Sequence, residues 1–88
     1  MAAPWRIREF HILSDRTLRV RFQDDLAGTV DLSALIDGDR PGIFASLRKP
    51  ELFQQAYLDN GVITWPGDLD LAPDAMHEQI AQNGICHF

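Results

Sequence analysis

Phe10-His11-Ile12-Leu13-Ser14-Asp15-Arg16-Thr17-Leu18-Arg19-Val20-Arg21-Phe22 is the stretch on which the fold turns. Its second half alternates polar and apolar residues with a period of two, the pattern of a strand with one dry and one wet face. Ser14-Asp15-Arg16 supplies turn formers, so the segment folds back on itself as a β-hairpin. With Asp15 at the centre of the turn, Phe10 faces Val20 and Ile12 faces Leu18 on one side, while Glu9 faces Arg21 and His11 faces Arg19 on the other. Phe10, Ile12, Leu18, Val20 and Phe22 are therefore expected to line a shared interior, with the arginines turned toward water.

Working outward toward the N-terminus, Trp5 and Ile7 fall on the opposite parity from Phe10 and Ile12. Either a bulge near Arg8 and Glu9 or a sheet covered on both faces accounts for that, and the pattern leaves both open. Toward the C-terminus, Gln23-Asp24-Asp25 reads as a turn and Leu26 to Leu32 as a third strand with Val30 and Leu32 inward, completing a meander. Ser33-Ala34-Leu35-Ile36 fits a single helical turn after a polar cap, and Asp37-Gly38-Asp39-Arg40-Pro41-Gly42 is a loop of breakers. Ile43, Phe44 and Leu47, then Leu52, Phe53 and Ala56, repeat a helical spacing on either side of Lys49-Pro50, which predicts two short helices or one broken one. Asn60-Gly61 supplies the positive φ angles of a tight turn and so predicts a second hairpin from Tyr57 to Trp65. Pro66 ends regular pairing, Asp68-Leu69-Asp70-Leu71 runs extended, and Pro73 to Asn83 reads as a helix with Met76 and Ile80 on one face and Gly84 as its stop. The tail from Ile85 to Phe88 carries no decisive pattern. The expected fold is α+β: a mostly antiparallel sheet of about five strands, with short helices packed on it, in a single domain spanning residues 1–88.

Length and composition agree with that reading. A chain of 88 residues with 45% hydrophobic and 24% charged residues supports one modest core and is too apolar for intrinsic disorder. The lone Cys86 has no partner for an internal disulfide and is expected to be an exposed thiol or a minor packing residue, which suits a reducing compartment. The opening residues lack the apolar run of a signal peptide, and no stretch has the length needed to cross a bilayer, so a cytoplasmic location without membrane association is expected. A net charge of -5 argues against general affinity for nucleic acid. The charge is nevertheless lopsided, because every Lys and Arg precedes Pro50, and Arg6, Arg8, Arg16, Arg19 and Arg21 crowd the opening hairpin.

The polar residues assemble no recognisable catalytic set. Asp68 and Asp70 would share one side of an extended segment, and Asp37-Gly38-Asp39 places two acids about a glycine, but calcium loops need more oxygen ligands than either supplies. His77-Glu78-Gln79-Ile80-Ala81 begins like a zinc-protease helix, yet Ala81 stands where the second histidine belongs. Cys86 and His87 lack two further ligands. Ser14, Ser33 and Ser46 have no base nearby in sequence. No catalytic residue, metal site or cofactor is therefore assigned. Two binding readings remain. Trp65, Pro66, Asp68 and Asp70 form an aromatic and acidic corner suited to a protein partner, with core packing of Trp65 as the alternative. Arg6, Arg8, Arg19 and Arg21 on a two-stranded ribbon could meet nucleic acid, although cross-strand pairs of Glu9 and His11 with Arg21 and Arg19 would make that face an ordinary solvated one.

The opening Trp5-Arg6-Ile7, the Asp15 to Phe22 hairpin, Val30-Asp31-Leu32 and above all Gly61-Val62-Ile63-Thr64-Trp65-Pro66-Gly67-Asp68-Leu69-Asp70-Leu71-Ala72-Pro73-Asp74 resemble one bacterial family, the uncharacterised DUF2442 domain. The likeness runs in order over nearly the whole chain. It implies an α+β domain with a mostly antiparallel sheet and implies no established activity. Some relatives carry an added helix-turn-helix segment and others are encoded beside small toxin-like proteins, which implies regulation or partner neutralisation; the present chain is expected to lack the DNA-binding segment. The leading expectation is a non-enzymatic protein-interaction or regulatory module, antitoxin-like, that pairs with a small protein or with itself and offers its acidic C-terminal half to a basic partner. The alternative is a nucleic-acid-binding regulator using the arginine-rich hairpin. A small metal-dependent enzyme ranks third.

Overall fold

In the computed structural model, which describes residues 3–40 and 42–88, the opening hairpin forms as its alternation demands. Strand β1 (Ile7–Ile12) pairs antiparallel with β2 (Thr17–Phe22), matching Phe10 to Val20, Ile12 to Leu18, Glu9 to Arg21 and His11 to Arg19. The register shifts between Ile7 and Glu9, so the bulge is the alternative realised. It rotates Ile7 back onto the inner face, opposite Phe22, and both side chains are buried. Trp5 precedes the strand, half-buried, with the Arg6 guanidinium 5.2 Å above its ring.

Strand β3 (Ala27–Asp31) extends the meander, and a short parallel strand β7 (Ile85–His87) pairs on its far side, giving the order β1-β2-β3-β7. Between them run α1 (Ser33–Asp37), a 3-10 helix (Gly42–Arg48), α2 (Pro50–Phe53), a second antiparallel sheet of β4 (Tyr57–Asp59), β5 (Val62–Trp65) and β6 (Leu69–Asp70), and α3 (Pro73–Asn83). The described residues thus hold seven strands in two sheets where about five in one sheet were expected. The two unforeseen strands are β6 and β7. Pro66-Gly67-Asp68 does break the ladder, but as a turn with Gly67 and Asp68 at positive φ that returns Leu69–Asp70 alongside β5.

Local chemistry explains the remaining elements. Asn60 and Gly61 both have positive φ, 54° and 79°, closing the β4-β5 hairpin as their types favour. Pro73 opens α3, and Gly84, at φ 76°, ends it with its N–H donating to the Ile80 carbonyl at 2.8 Å. At the start of α1 the Asp31 carboxylate accepts the Ser33 backbone N–H at 2.9 Å. At the other end, Arg48 donates to the Ile36 and Gly38 carbonyls at 2.8 and 3.2 Å, a side-chain cap contributed by the 3-10 helix.

One core serves both sheets. Leu18, Val20, Phe22, Val30 and Cys86 from the first sheet, Ile63 and Trp65 from the second, and Ile36, Leu47, Phe53, Met76 and Ile80 from the helices form a single buried cluster. Phe10 and Ile12 pack against its margin and stay partly exposed, a correction to the expectation that they lie fully inside. The reason is topological: β1 is the edge strand, and no described strand lies beyond it. Cys86 is fully buried opposite Val30, so the packing alternative holds and the exposed thiol does not. No helix among the described residues is long and apolar enough to cross a membrane.

Candidate functional site

The first sheet buries one face and leaves the other to solvent. Strand alternation assigns Glu9 and His11 of β1, Arg19 and Arg21 of β2, Ala27 and Thr29 of β3 and Ile85 and His87 of β7 to this outer face. Glu9, His11, Arg19, Val20, Arg21 and Ala27 line a shallow depression there of about 200 Å³. Its charges are already partly matched. Arg21 meets Glu9 at 3.3 Å and also donates to the Asp25 carbonyl at 3.2 Å, and Arg8 meets the Asp25 carboxylate at 2.7 Å.

Beside this face lies the free edge of β1. The Leu13 N–H donates to the Thr17 carbonyl at 3.0 Å, which closes the hairpin; alternation from that pair turns the amides of His11 and Glu9 toward β2 and those of Phe10 and Ile12 away from it. No described strand pairs with that outward side. The tip of the β4-β5 hairpin bonds to β1 at its start, where Gly61 O accepts the Ile7 N–H at 2.9 Å. Phe10 and Ile12 therefore present unpaired backbone donors and acceptors together with half-exposed apolar side chains, followed by Leu13, which is 56% exposed.

The four arginines proposed for nucleic acid are dispersed by their partners. Arg6 donates to the Asn60 carbonyl and lies over Trp5, Arg8 is held by Asp25, Arg21 by Glu9, and Arg19 alone of the four makes no ion pair or hydrogen bond within the described residues. Arg16 is committed as well, gripping Asp37 through two contacts of 2.9 and 3.0 Å that lower the Asp37 carboxyl pKa and raise that of the guanidinium.

The acidic corner divides. Trp65 is 0% exposed, its indole N–H donates to the Phe53 carbonyl at 2.9 Å and its ring lies 5.7 Å from that of Phe53, so it is a core residue and not a surface anchor. Pro66, Asp68 and Asp70 are exposed. Asp68 sits in the turn at φ 63° and not in an extended run, yet it lines with Asp70, Asp59, Asn60, Val62 and Thr64 a shallow depression of about 210 Å³. Among the described residues no group of three or more His, Cys, Asp or Glu side chains is arranged to hold a metal ion. At the start of α3 the Asp74 carboxylate accepts the Ala75 N–H at 2.9 Å.

The histidines take different positions. His77 bonds Asp24 at 2.7 Å and meets Phe22 edge-on at 4.8 Å between ring centres, tying α3 to the β2-β3 turn and lowering the Asp24 carboxyl pKa. His87 lies 3.4 Å from Asp31, whose pKa is lowered first by its bonds to Ser33 and then by this neighbour. The free edge is the feature that sequence reading missed. The alternation shows which residues face inward, but strand order, which decides what flanks β1, depends on β7 choosing β3 as its neighbour.

A family model described as Protein of unknown function (DUF2442) matches residues 7–82. The chain belongs to the DUF2442 family. No curated protein and no solved structure matches it. The DUF2442 match begins with the first residue of β1 and ends one residue before α3 does, so it takes in both hairpins, the acidic corner and the open edge.

Proposed function

We propose that this DUF2442 chain is a non-catalytic protein-interaction module that receives a strand of a small partner protein, or of another copy, on the open edge of β1. The carrying observation is the outward, unpaired backbone of Phe10 and Ile12 beside the exposed Leu13. An edge with free N–H and C=O groups is a template for strand addition, and natural sheets usually protect such edges with proline, lysine or a bulge. Here the bulge lies at Ile7–Glu9, and the run from Phe10 to Leu13 contains none of these guards. The pairing of Arg8 and Arg21 with acids within the chain leaves the nucleic-acid alternative with less support.

Purification of the tagged chain from its native host, in parallel with Ile12→Pro, tests the proposal. The Ile12 N–H points away from β2, so proline there removes a donor from the open edge and leaves the β1-β2 ladder intact. The expected result is a stoichiometric protein partner, or a second copy, held by the wild type and lost from the variant. A wild-type chain recovered as a lone monomer, or a partner retained equally by Ile12→Pro, overturns the assignment.

A further inference from the structure

We infer that the strand received by β1 is β1 of a second copy, paired antiparallel about a twofold axis through Phe10 so that Glu9 of each protomer lies opposite His11 of the other. This inference rests on the open-edge reading above and specifies its occupant.

The hydrogen-bonding parity restricts the registers. A symmetric pair joined through outward amides must match Phe10 and Ile12 to residues of the same parity, which keeps the two apolar faces on one side of the joined sheet. Centring on Glu9 would oppose two like carboxylates. Centring on His11 would oppose two imidazoles and leave Glu9 against Leu13. Centring on Phe10 lets the two Phe10 residues exchange backbone bonds, sets each Glu9 against a His11 and brings each outward Ile12 amide beside Arg8 of the other copy, and the added pairing stops short of Ile7, whose outward side Gly61 already occupies. On the outer face Glu9 would then lie between its own Arg21, 3.3 Å away, and the imidazole of the other copy, flanked by Arg19 next to that imidazole in the β1-β2 register. Each edge thus offers its own copy a carboxylate acceptor opposite an imidazole that has Arg19 beside it, a match that does not depend on the acidity of the chain as a whole. Joining two four-stranded sheets gives one continuous eight-stranded sheet and removes both β1 edges. One short strand pair buries less than the roughly 1,600 Å² of a standard stable interface, so the dimer is expected to be reversible and concentration-dependent.

Sedimentation velocity of the purified chain from micromolar to millimolar concentration, with circular dichroism to confirm native structure, provides the test. The wild type is expected to shift from monomer to dimer. Glu9→Lys sets lysine against His11, and His11→Glu sets two carboxylates together, so each alone weakens dimerisation by roughly tenfold, from two cross-strand pairs per dimer. Mixed in equal amounts, the two variants should form a heterodimer, because the introduced lysine of one then meets the introduced carboxylate of the other, while the remaining His11 meets the remaining Glu9. Should Glu9→Lys fail to fold for want of its Arg21 pair, Ile12→Pro replaces it and is expected to remain monomeric. A wild type that stays monomeric throughout, variants that dimerise as well as wild type, or singles that do not rescue each other overturn the self-pairing. A monomeric wild type that still holds another protein from its host through Ile12 would overturn this inference alone and leave the interaction module standing.

Discussion

Cys86 illustrates how a residue's surroundings decide its chemistry. The sequence left it either an exposed thiol or a minor packing residue, and β7, inserted beside β3, decides for packing by carrying the thiol to a fully buried position opposite Val30. Burial pushes its pKa above the ordinary 9.0, because a thiolate would have to form among apolar groups. The folded protein is therefore expected to resist a thiol-specific reagent such as Ellman's at neutral pH, and to react at the rate of a free thiol in urea sufficient to unfold it; equal rates in both conditions would contradict the burial. Trp65 follows the same logic. The abrupt strand end and following proline marked it as either anchor or core, and the bond from its indole N–H to the Phe53 carbonyl shows why the core is satisfactory: the one polar atom of a large apolar side chain finds its acceptor inside.

At the scale of elements, hairpins and helix ends were legible because their signals are local. The Thr17 to Phe22 alternation, the Asn60-Gly61 turn and the Pro73 to Gly84 boundaries each rest on a few consecutive residues, and each appears where expected. What escaped was pairing between distant segments: β6 turning back on β5, and β7 joining β3 in parallel across more than fifty residues of intervening chain. Two-residue and three-residue strands are too short for a periodic pattern, and their partners are chosen by the core they cover. Gly28 records one such long-range constraint. A Cβ built there would lie 2.5 Å from Ile80 Cγ2 and 2.7 Å from the Gly84 carbonyl oxygen, so β3 and the end of α3 approach more closely than any side chain permits. The Ile80 side chain can rotate, but the carbonyl belongs to the helix cap that leads into β7 and has no such freedom. Gly28→Ala is expected to destabilise the fold by about 1–3 kcal/mol, as overpacking does. For a domain of this size that corresponds to a fall in melting temperature of several degrees or more in a calorimetric scan, and an unchanged melt would mean that β3 and the helix cap can separate freely enough to admit a methyl group.

Across the whole molecule, the charge asymmetry visible in the sequence became a set of ties between elements. Arg16 fastens the β1-β2 turn to the end of α1 through Asp37, His77 fastens α3 to the β2-β3 turn through Asp24, and Asp31 holds the start of α1 while facing His87 on β7. Positive and negative residues far apart in the chain are thus matched in space, which no local pattern discloses, and two of the four arginines singled out as a nucleic-acid surface, Arg8 and Arg21, are spent on such matches. The three carboxylates Asp24, Asp31 and Asp37 all have pKa values below the ordinary 3.8, through bonds to His77, Ser33 and Arg16 respectively. The sign of the consequence follows from linkage. A carboxylate that holds its proton less tightly when folded adds stability at any pH above its unfolded value, and that contribution drains away as pH falls through the folded value. The melting temperature is therefore expected to be flat in these groups' contribution down to about pH 5 and to drop below about pH 4, where the unfolded chain takes up protons that the folded one refuses. Asp37→Asn should lower the plateau and flatten the acid limb, because the amide still accepts a bond from Arg16 but no longer titrates; Asp39→Asn, two residues on in the exposed loop, should leave the slope as in wild type. An acid limb equally steep in Asp37→Asn and wild type would show that the Arg16 tie contributes nothing to the pH dependence of the fold.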